Sequence, residues 1–340
     1  MEIGERSASQ VIVPISDPSL AGEARRVAVH LAEEIGMEES DRGAVAIAVT
    51  EMATNIVKHA ERGSVVFEQL GGNGTRGIRV LAFDKGRGIR NISSALQDGY
   101  STAGTSGNGL GAVRRLSTSF DIYSAPERGT CILADFWPQK KAHADNNLRL
   151  GVVSIPLRGE PVCGDGWLFK THHGTAWLIV ADGLGHGVFA AEAAHEAERV
   201  LAESRFDSPA AIMADVHDAL KKTRGAAAAI SAINPHAGTL SFAGLGNISA
   251  VLANGDRTRG LASHNGTAGH QLSRIQEFTF PWAEDSTLIM HSDGLGSRWN
   301  LNDYPGLVNK HPGIIAAVLY RDFSRERDDV TVLVVKNSVQ

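Results

Sequence analysis

Aspartates recur at the ends of apolar runs in the C-terminal half of the sequence, and most of them precede a glycine. One Asp-Gly pair alone would indicate a turn, but repeated carboxylates at strand ends can converge without steric conflict. Ligands that are all oxygen suit Mg²⁺ or Mn²⁺ rather than Zn²⁺. Two such ions about 3.5–4 Å apart can activate a water and clamp a phosphoryl group. The pattern therefore predicts metal-dependent phosphate hydrolysis at Asp165, Asp182, Asp293 and Asp328.

A second group of polar and glycine residues lies in the N-terminal half. Glu51 and Asn55 are one turn apart on a predicted helix, so their side chains share a face. An amide oxygen suits Mg²⁺, and a neighbouring carboxylate can deprotonate a nucleophile. Asp84 ends a predicted strand, and glycines after it let a base edge approach the backbone. Glycines before a helix expose N–H groups to phosphate, so we predict a nucleotide site that includes Gly86, Gly88, Gly107, Gly109 and Gly111.

The elements that must position these residues follow from hydrophobic periodicity. In the N-terminal half the pattern predicts helices at 18–35, 41–60 and 110–116, and strands at 11–15, 65–69, 78–83, 120–124 and 130–136. In the C-terminal half it predicts helices at 188–202, 209–222 and 314–320. The strands predicted there are 148–157, 176–181, 228–233, 239–243, 248–253, 287–290 and 330–335. Run 176–181 is continuously apolar, which is typical of a strand buried on both faces.

Composition indicates a globular protein of two domains. The chain has 340 residues, 43% hydrophobic residues and a net charge of −5, without a basic patch, so we expect no nucleic-acid partner. The polar start lacks the features of a signal peptide, and no apolar run could span a bilayer. The two cysteines form no disulfide framework, so a cytoplasmic location is expected. We predict a first domain at 1–139, a polar linker at 140–147 and a second domain at 148–340.

The N-terminal residues, in this order, resemble the N, G1 and G2 boxes of the GHKL ATPase and kinase superfamily. Segment 109–124 looks similar to the RsbT-type anti-sigma-factor serine kinases. The resemblance covers nearly the whole first domain and implies a Bergerat α/β sandwich that binds ATP with Mg²⁺. It implies that Asn55 binds Mg²⁺, that Glu51 is the catalytic base and that Asp84 reads the adenine amino group. It also implies nucleotide contacts for Gly86, Gly88, Gly107, Gly109, Leu110, Gly111 and Thr130.

The C-terminal aspartates and their order resemble the PPM-type phosphatases of the SpoIIE and RsbX branch, over about 148–337. The resemblance implies an α-β-β-α sandwich, so the whole chain is assigned to the α/β (α+β) class. It implies a dinuclear Mn²⁺ or Mg²⁺ site, with Asp165 contributing directly or through water. Many relatives carry a further aspartate where this chain has Leu168, which argues against an additional metal position. Asn247 is expected to shape a loop near the site, whose implied ligands are Asp182, the Gly183 carbonyl, Asp293 and Asp328.

Three hypotheses for function follow from these resemblances. In the first, the chain dephosphorylates serine or threonine of a STAS-domain anti-sigma antagonist and also phosphorylates it. In the second, the N-terminal domain binds ATP only to control the phosphatase. In the third, the N-terminal domain is a non-catalytic module that binds a sigma factor or a STAS protein. A homodimer is also considered. The presence of Glu51 favours a working kinase, because nucleotide sensing alone requires no base there.

Overall fold

The computed structural model describes residues 4–6, 10–72, 75–97, 109–138, 147–255, 257–272 and 274–338. The chain forms two compact units. The N-terminal unit consists of Gln10–Ala144 together with Asn309–Arg321, and the C-terminal unit consists of Met1–Ser9, Asp145–Val308 and Asp322–Gln340. A division of the chain at the predicted linker would assign Met1–Ser9 to the N-terminal unit and Asn309–Arg321 to the C-terminal unit. In the structure, each of these two segments belongs to the other unit instead. One of them contains strand β1 (Gly4–Arg6), which pairs with a strand of the C-terminal unit.

The N-terminal unit is an antiparallel five-stranded sheet in the order β2-β3-β4-β6-β5, with helices on one face. The apolar residues of α1, α2 and α4 share one core with alternate residues of the strands. Asp17 begins α1, since its Oδ1 accepts the backbone N–H of Ser19 at 2.8 Å and Pro18 follows it. The described elements are β2 (Val11–Ile15), α1 (Pro18–Glu34), α2 (Glu39–His59), β3 (Gly63–Gly72), β4 (Thr75–Asp84), α3 (Ile92–Ala95), α4 (Gly109–Leu116), β5 (Ser119–Ser124) and β6 (Thr130–Phe136).

The second face of this sheet is also buried. Residues whose side chains alternate with those of the helix-covered face, such as Leu81 and Leu133, are 0% exposed. Residues 309–321 lie over this face. The rings of Phe83 and Tyr320 meet edge to face at 5.8 Å, and a Cβ on Gly313 would lie 2.8 Å from a Leu133 methyl. The sheet therefore uses a segment from late in the chain to complete its burial.

A buried ion pair lies on this second face. Arg79 of β4 and Asp135 of β6 are direct cross-strand partners, with Nε–Oδ1 and Nη2–Oδ2 distances of 2.8 and 3.0 Å. Glu68 lies 3.8 Å from the same guanidinium. Replacing Asp135 by alanine should lower the free energy of unfolding by about 3 kcal/mol, because it leaves a buried charge poorly paired. Denaturant unfolding would measure this, and Glu196→Ala, which breaks an exposed pair with Arg199, should change it little.

The C-terminal unit contains two packed sheets. They run in the orders β1-β8-β9-β10-β11-β16 and β13-β12-β17-β18-β7, with a separate β14-β15 pair. The remaining elements are β7 (Leu148–Ile155), β8 (Asp165–His172), β9 (Thr175–Gly183), α5 (Val188–Glu203), α6 (Pro209–Leu220), β10 (Ala226–Asn234), β11 (Thr239–Leu245), β12 (Ser249–Asn254), β13 (Arg257–Leu261), β14 (Gly266–Thr267), β15 (Gln271–Leu272), β16 (Phe278–Pro281), β17 (Ser286–His291), α7 (Pro312–Phe323) and β18 (Val330–Asn337). Residues 312–321 of α7 belong to the N-terminal unit.

The two sheets enclose one apolar core, and α5 and α6 form a second core on the outer face of the six-stranded sheet. Trp167 and Leu178 point into the inter-sheet core, whereas Leu168 and Ile179, one residue further on, point toward the helices. This alternation explains why β8 and β9 are apolar throughout. In the described ranges, no helix combines the length and apolar character needed to cross a bilayer.

Candidate functional site

The predicted aspartates from the six-stranded sheet are direct neighbours. Asp165 is the first residue of β8, and its antiparallel pairing partner is Asp182, near the end of β9. Gly183 ends β9, and a Cβ there would lie 2.1 Å from the carbonyl oxygen of Ala190 in α5. Only glycine therefore allows α5 to approach Asp182 so closely. Leu168 is 5% exposed and packs toward the helices, so it takes no part in this group.

The predicted aspartates from the five-stranded sheet lie at the ends of adjacent strands. Asp293 follows β17 and Asp328 precedes β18, and these strands pair. Ser292 connects the two sheets, because its Oγ donates to Asp165 Oδ2 at 2.7 Å and accepts the backbone N–H of Thr331 at 3.0 Å. The structure thus brings together the ends of strands from both sheets.

The electrostatics show how closely these carboxylates interact. Burial, followed by the charges of Asp165, Asp293, Asp328 and Asp329, raises the pKa of Asp182 to about 9. Burial also raises the pKa of Asp165 to about 7, against the hydrogen bond from Ser292. A buried cluster of like charges is unfavourable unless protons or cations neutralise it. The cluster therefore has the charge and the all-oxygen donors that fit Mg²⁺ or Mn²⁺.

The aspartates do not form a closed metal-ligand set in the part of the chain that the structure describes. Among the residues that the structure describes, no three His, Cys, Asp or Glu side chains converge around a single point as a closed ligand set. The aspartates are instead grouped as neighbours, with their mutual orientation set by hydrogen bonds.

Two further residues of this group have roles that the sequence pattern alone does not indicate. Asp329 is buried, and its Oδ1 accepts the backbone N–H of Leu157 at 2.8 Å, so it ties the end of β7 to the cluster. Its position beside Asp328 was the available signal. Asn247 was expected only to shape a loop. Its Nδ2 donates to Asp293 Oδ2 at 2.8 Å, so it orients that carboxylate directly.

The residues predicted to be catalytic in a nucleotide site lie together in the N-terminal unit. Glu51 and Asn55 are one turn apart on α2, and Gly109 at the start of α4 faces both of them. A Cβ on Gly109 would lie 2.9 Å from Glu51 Oε2 and 3.7 Å from Asn55 Nδ2. The start of α4, where unpaired N–H groups favour phosphate, therefore adjoins the predicted base and Mg²⁺ ligand.

The predicted adenine-reading carboxylate is held from several directions. Asp84 ends β4, and its Oδ1 accepts the backbone N–H groups of Gly86 at 2.8 Å and Thr130 at 3.2 Å. Burial raises the pKa of Asp84, and these hydrogen bonds and the charges of Arg321 and His59 oppose that effect. The carboxylate is thus fixed in orientation at the end of the central strand of the sheet.

The glycines of the predicted site are placed differently. Gly88 has a φ of +68°, and a Cβ there would lie 2.1 Å from the carbonyl oxygen of Ala125, so glycine is required for the turn. Leu110 is half-buried against the core, and Gly111 is buried within α4. Gly107 lies outside the described residues, so its predicted phosphate contact has no structural counterpart here.

Both halves of the chain match known families. The model of the histidine kinase-like ATPase domain matches residues 15–136, and the model of stage II sporulation protein E (SpoIIE) matches residues 172–338. These matches define the class: an ATPase domain of the histidine kinase type joined to a SpoIIE-type phosphatase domain. The prediction of the α/β class, with both domain types, is confirmed.

Individual relatives make the assignment more specific. The chain is 36% identical to the serine/threonine-protein kinase RsbT of Bacillus subtilis over 114 residues, which are 34% of this chain and 86% of RsbT. Through its N-terminal domain, the chain belongs to the RsbT family. It is also 25% identical to the phosphoserine phosphatase RsbX of Bacillus subtilis over 186 residues, which are 54% of this chain and 91% of RsbX.

Two solved structures are similar to part of the chain. A structure reported in a study of the bacterial stressosome, as a modular system adapted to control secondary messenger signaling, has 26% identity and a TM-score of 0.53. It covers 56% of this chain and 99% of its own. A crystal structure of RsbX in complex with magnesium has 21% identity and a TM-score of 0.51, covering 58% of this chain and 99% of RsbX, and shows the shared fold.

Proposed function

We propose that the C-terminal domain hydrolyses phosphoserine or phosphothreonine of a protein at a Mn²⁺ or Mg²⁺ site formed by its aspartates. The observation that carries the proposal is the cross-strand pair Asp165 and Asp182, whose carboxyls neighbour those of Asp293 and Asp328. Such a concentration of like charge at strand ends is costly for folding alone. The likeness to RsbX, a phosphoserine phosphatase, supports the choice of substrate.

Each residue of the site has its own proposed role. Divalent ions bound here would supply a polarised water and neutralise the phosphoryl oxygens. Asp165 and Asp182 would hold them from one sheet, and Asp293 and Asp328 from the other, with Asp182 and Asp293 central. Ser292 and Asn247 keep two of these carboxylates in place through their hydrogen bonds. The Gly183 carbonyl would add a neutral ligand beside Asp182.

A nucleophilic cysteine is a poor alternative. Cys163 lies next to the cluster, but burial and the charges of Asp165 and Asp329 raise the pKa of its thiol. The thiolate, which is the nucleophile, is therefore disfavoured at neutral pH. Attack by water is the route that the site supports.

Removing divalent ions should abolish phosphatase activity. We expect dialysis against EDTA to reduce hydrolysis of p-nitrophenyl phosphate by at least about a hundredfold, because the aspartates alone cannot neutralise the phosphoryl group. Added Mn²⁺ or Mg²⁺ should restore it. Steady-state assays with each ion would measure the effect. Full activity after exhaustive chelation would contradict the metal assignment.

We further propose that the N-terminal domain binds ATP with Mg²⁺ and transfers its phosphoryl group to a protein serine or threonine. The support is the position of Glu51 and Asn55 beside Gly109 at the start of α4, together with the likeness to the kinase RsbT. In a second candidate function, ATP only controls the phosphatase. This candidate is favoured because residues 309–321 belong to the N-terminal unit, whereas the sequence on both sides of them belongs to the C-terminal unit, so the two units are joined by more than the linker.

A STAS-domain protein in a partner-switching pathway of the cytoplasm is the proposed substrate of both domains, and a sigma factor is a proposed indirect partner. The proposal rests on the presence of RsbT-like and RsbX-like domains on one chain. Incubating phosphorylated STAS protein with Mn²⁺, and unphosphorylated STAS protein with ATP and Mg²⁺, tests both directions. Stoichiometric binding without turnover in either reaction would instead favour a non-catalytic switch module.

A further inference from the structure

Residues 309–321 are anchored to the N-terminal unit at both ends. At the start, Asp121 of β5 accepts the ammonium of Lys310 at 3.1 Å and the backbone N–H of His311 at 2.7 Å. At the end, the Arg321 guanidinium donates to the backbone carbonyl of Asp84 at 3.0 Å. Arg321 is only 8% exposed. The segment therefore reaches from the far strand of the sheet to the residue predicted to read adenine.

The Asp84 peptide is enclosed around that contact. A Cβ on Gly129 would lie 2.0 Å from the Asp84 carbonyl oxygen, so the backbone of the β5–β6 turn is packed against it. The side chain of Asp84 is restrained through Oδ1 by Gly86 and Thr130. Gly86, Gly129 and Thr130, which also restrain Asp84, lie in or next to the turns that follow β4 and β5. Arg321, by contrast, comes from a distant part of the sequence.

The charge of Arg321 also acts on Asp84. Burial favours the neutral form of Asp84, whereas the carboxylate form is the better acceptor for an amino group. The positive groups that act on Asp84 are Arg321 from α7 and His59 from α2. Burial, with Arg87 and Lys58 nearby, lowers the pKa of His59 and so favours its neutral form. Arg321 is consequently the permanent positive charge of the two.

We propose that Arg321 is a positioning residue for adenine recognition: it fixes the end of β4 and keeps Asp84 oriented toward the base. This proposal rests on the nucleotide-binding function proposed above. It adds that the nucleotide site is complete only with residues 309–321. Arg321 acts through Asp84 and does not itself touch the nucleotide.

The test compares two nucleotides that differ at the group Asp84 would read. ADP offers an amino group, whereas inosine diphosphate presents an oxygen at the same position. We expect the unsubstituted full chain to prefer ADP by at least about tenfold, the value of a charge-assisted hydrogen bond. Arg321→Gln should reduce this preference by about five- to tenfold, mostly by lowering the affinity for ADP. Titration calorimetry with Mg²⁺ would give both affinities.

Matched variants distinguish a loss of Asp84 positioning from a general loss of stability in the N-terminal unit. Arg25→Gln, at an exposed position of α1, removes another cation from the same unit and should leave the ADP preference unchanged. Arg321→Lys keeps the charge but loses the planar donor, so its preference for ADP should be intermediate. If Arg321→Gln does not fold, the ADP preference of Arg321→Lys tests the proposal. An unchanged ADP preference in both Arg321 variants, including an equal weakening of both nucleotides, would overturn the proposal. Failure of the unsubstituted chain to bind ADP would overturn nucleotide binding itself.

Discussion

Asp182→Asn is expected to reduce phosphatase activity by roughly a thousandfold. The substitution keeps the shape of the side chain but removes its charge, and several kcal/mol of phosphoryl-charge stabilisation corresponds to about three powers of ten in rate. The site assignment predicts the same for hydrolysis of a phosphoprotein and of p-nitrophenyl phosphate, because both depend on the same ions. Steady-state kinetics with saturating Mn²⁺ would measure the loss.

Stability distinguishes a lost ligand from a damaged fold. Because neighbouring carboxylates and burial disfavour the charged form of Asp182, asparagine should leave the Tm unchanged or raise it in metal-free protein. Mn²⁺ should raise the Tm of the unsubstituted chain and have a much smaller effect on the variant. Asp215→Asn, at an exposed position of α6, should alter neither activity nor the response to Mn²⁺. Retained activity in Asp182→Asn would contradict the assignment.

The aspartate site could be anticipated because its signals are local. A buried strand followed by Asp-Gly is visible in the sequence around Asp182 and Asp293. What the sequence did not reveal was register. The predicted strands do not include β8, so the sequence does not show that Asp165 begins a strand and faces Asp182 across the ladder. Cross-strand pairing is set by contacts distant in sequence, which periodicity does not report.

The same limit applies to the segment that completes the nucleotide-binding unit. The apolar pattern predicted a helix at 314–320, and α7 contains it. The face against which a helix packs depends on tertiary contacts. Every residue of α7 from Pro312 to Leu319 is buried. The continuous apolar run at 314–319 is the sign of this burial that the sequence itself carries. Strand β1 is a further case, since three residues form a strand only because β8 offers an edge.

Glu51→Gln is expected to abolish phosphoryl transfer while leaving nucleotide binding nearly intact. A positioned general base contributes about 10²- to 10⁴-fold, and glutamine cannot accept the proton. Glu51 lies beside Gly109 and one turn from Asn55, so a neutral side chain of equal size should preserve the pocket.

The kinase measurement is cleanest in a chain that cannot remove its own product. Transfer from γ-labelled ATP to a STAS protein should therefore be followed in the Asp182→Asn background, with and without Glu51→Gln. Glu23→Gln, at an exposed position of α1, is the matched control and should transfer normally. Equal transfer with and without Glu51 would show that another group is the base. A chain that binds ADP, transfers no label and changes its phosphatase rate with ATP would be a nucleotide-controlled phosphatase, because binding would then act on the hydrolytic site without chemistry of its own.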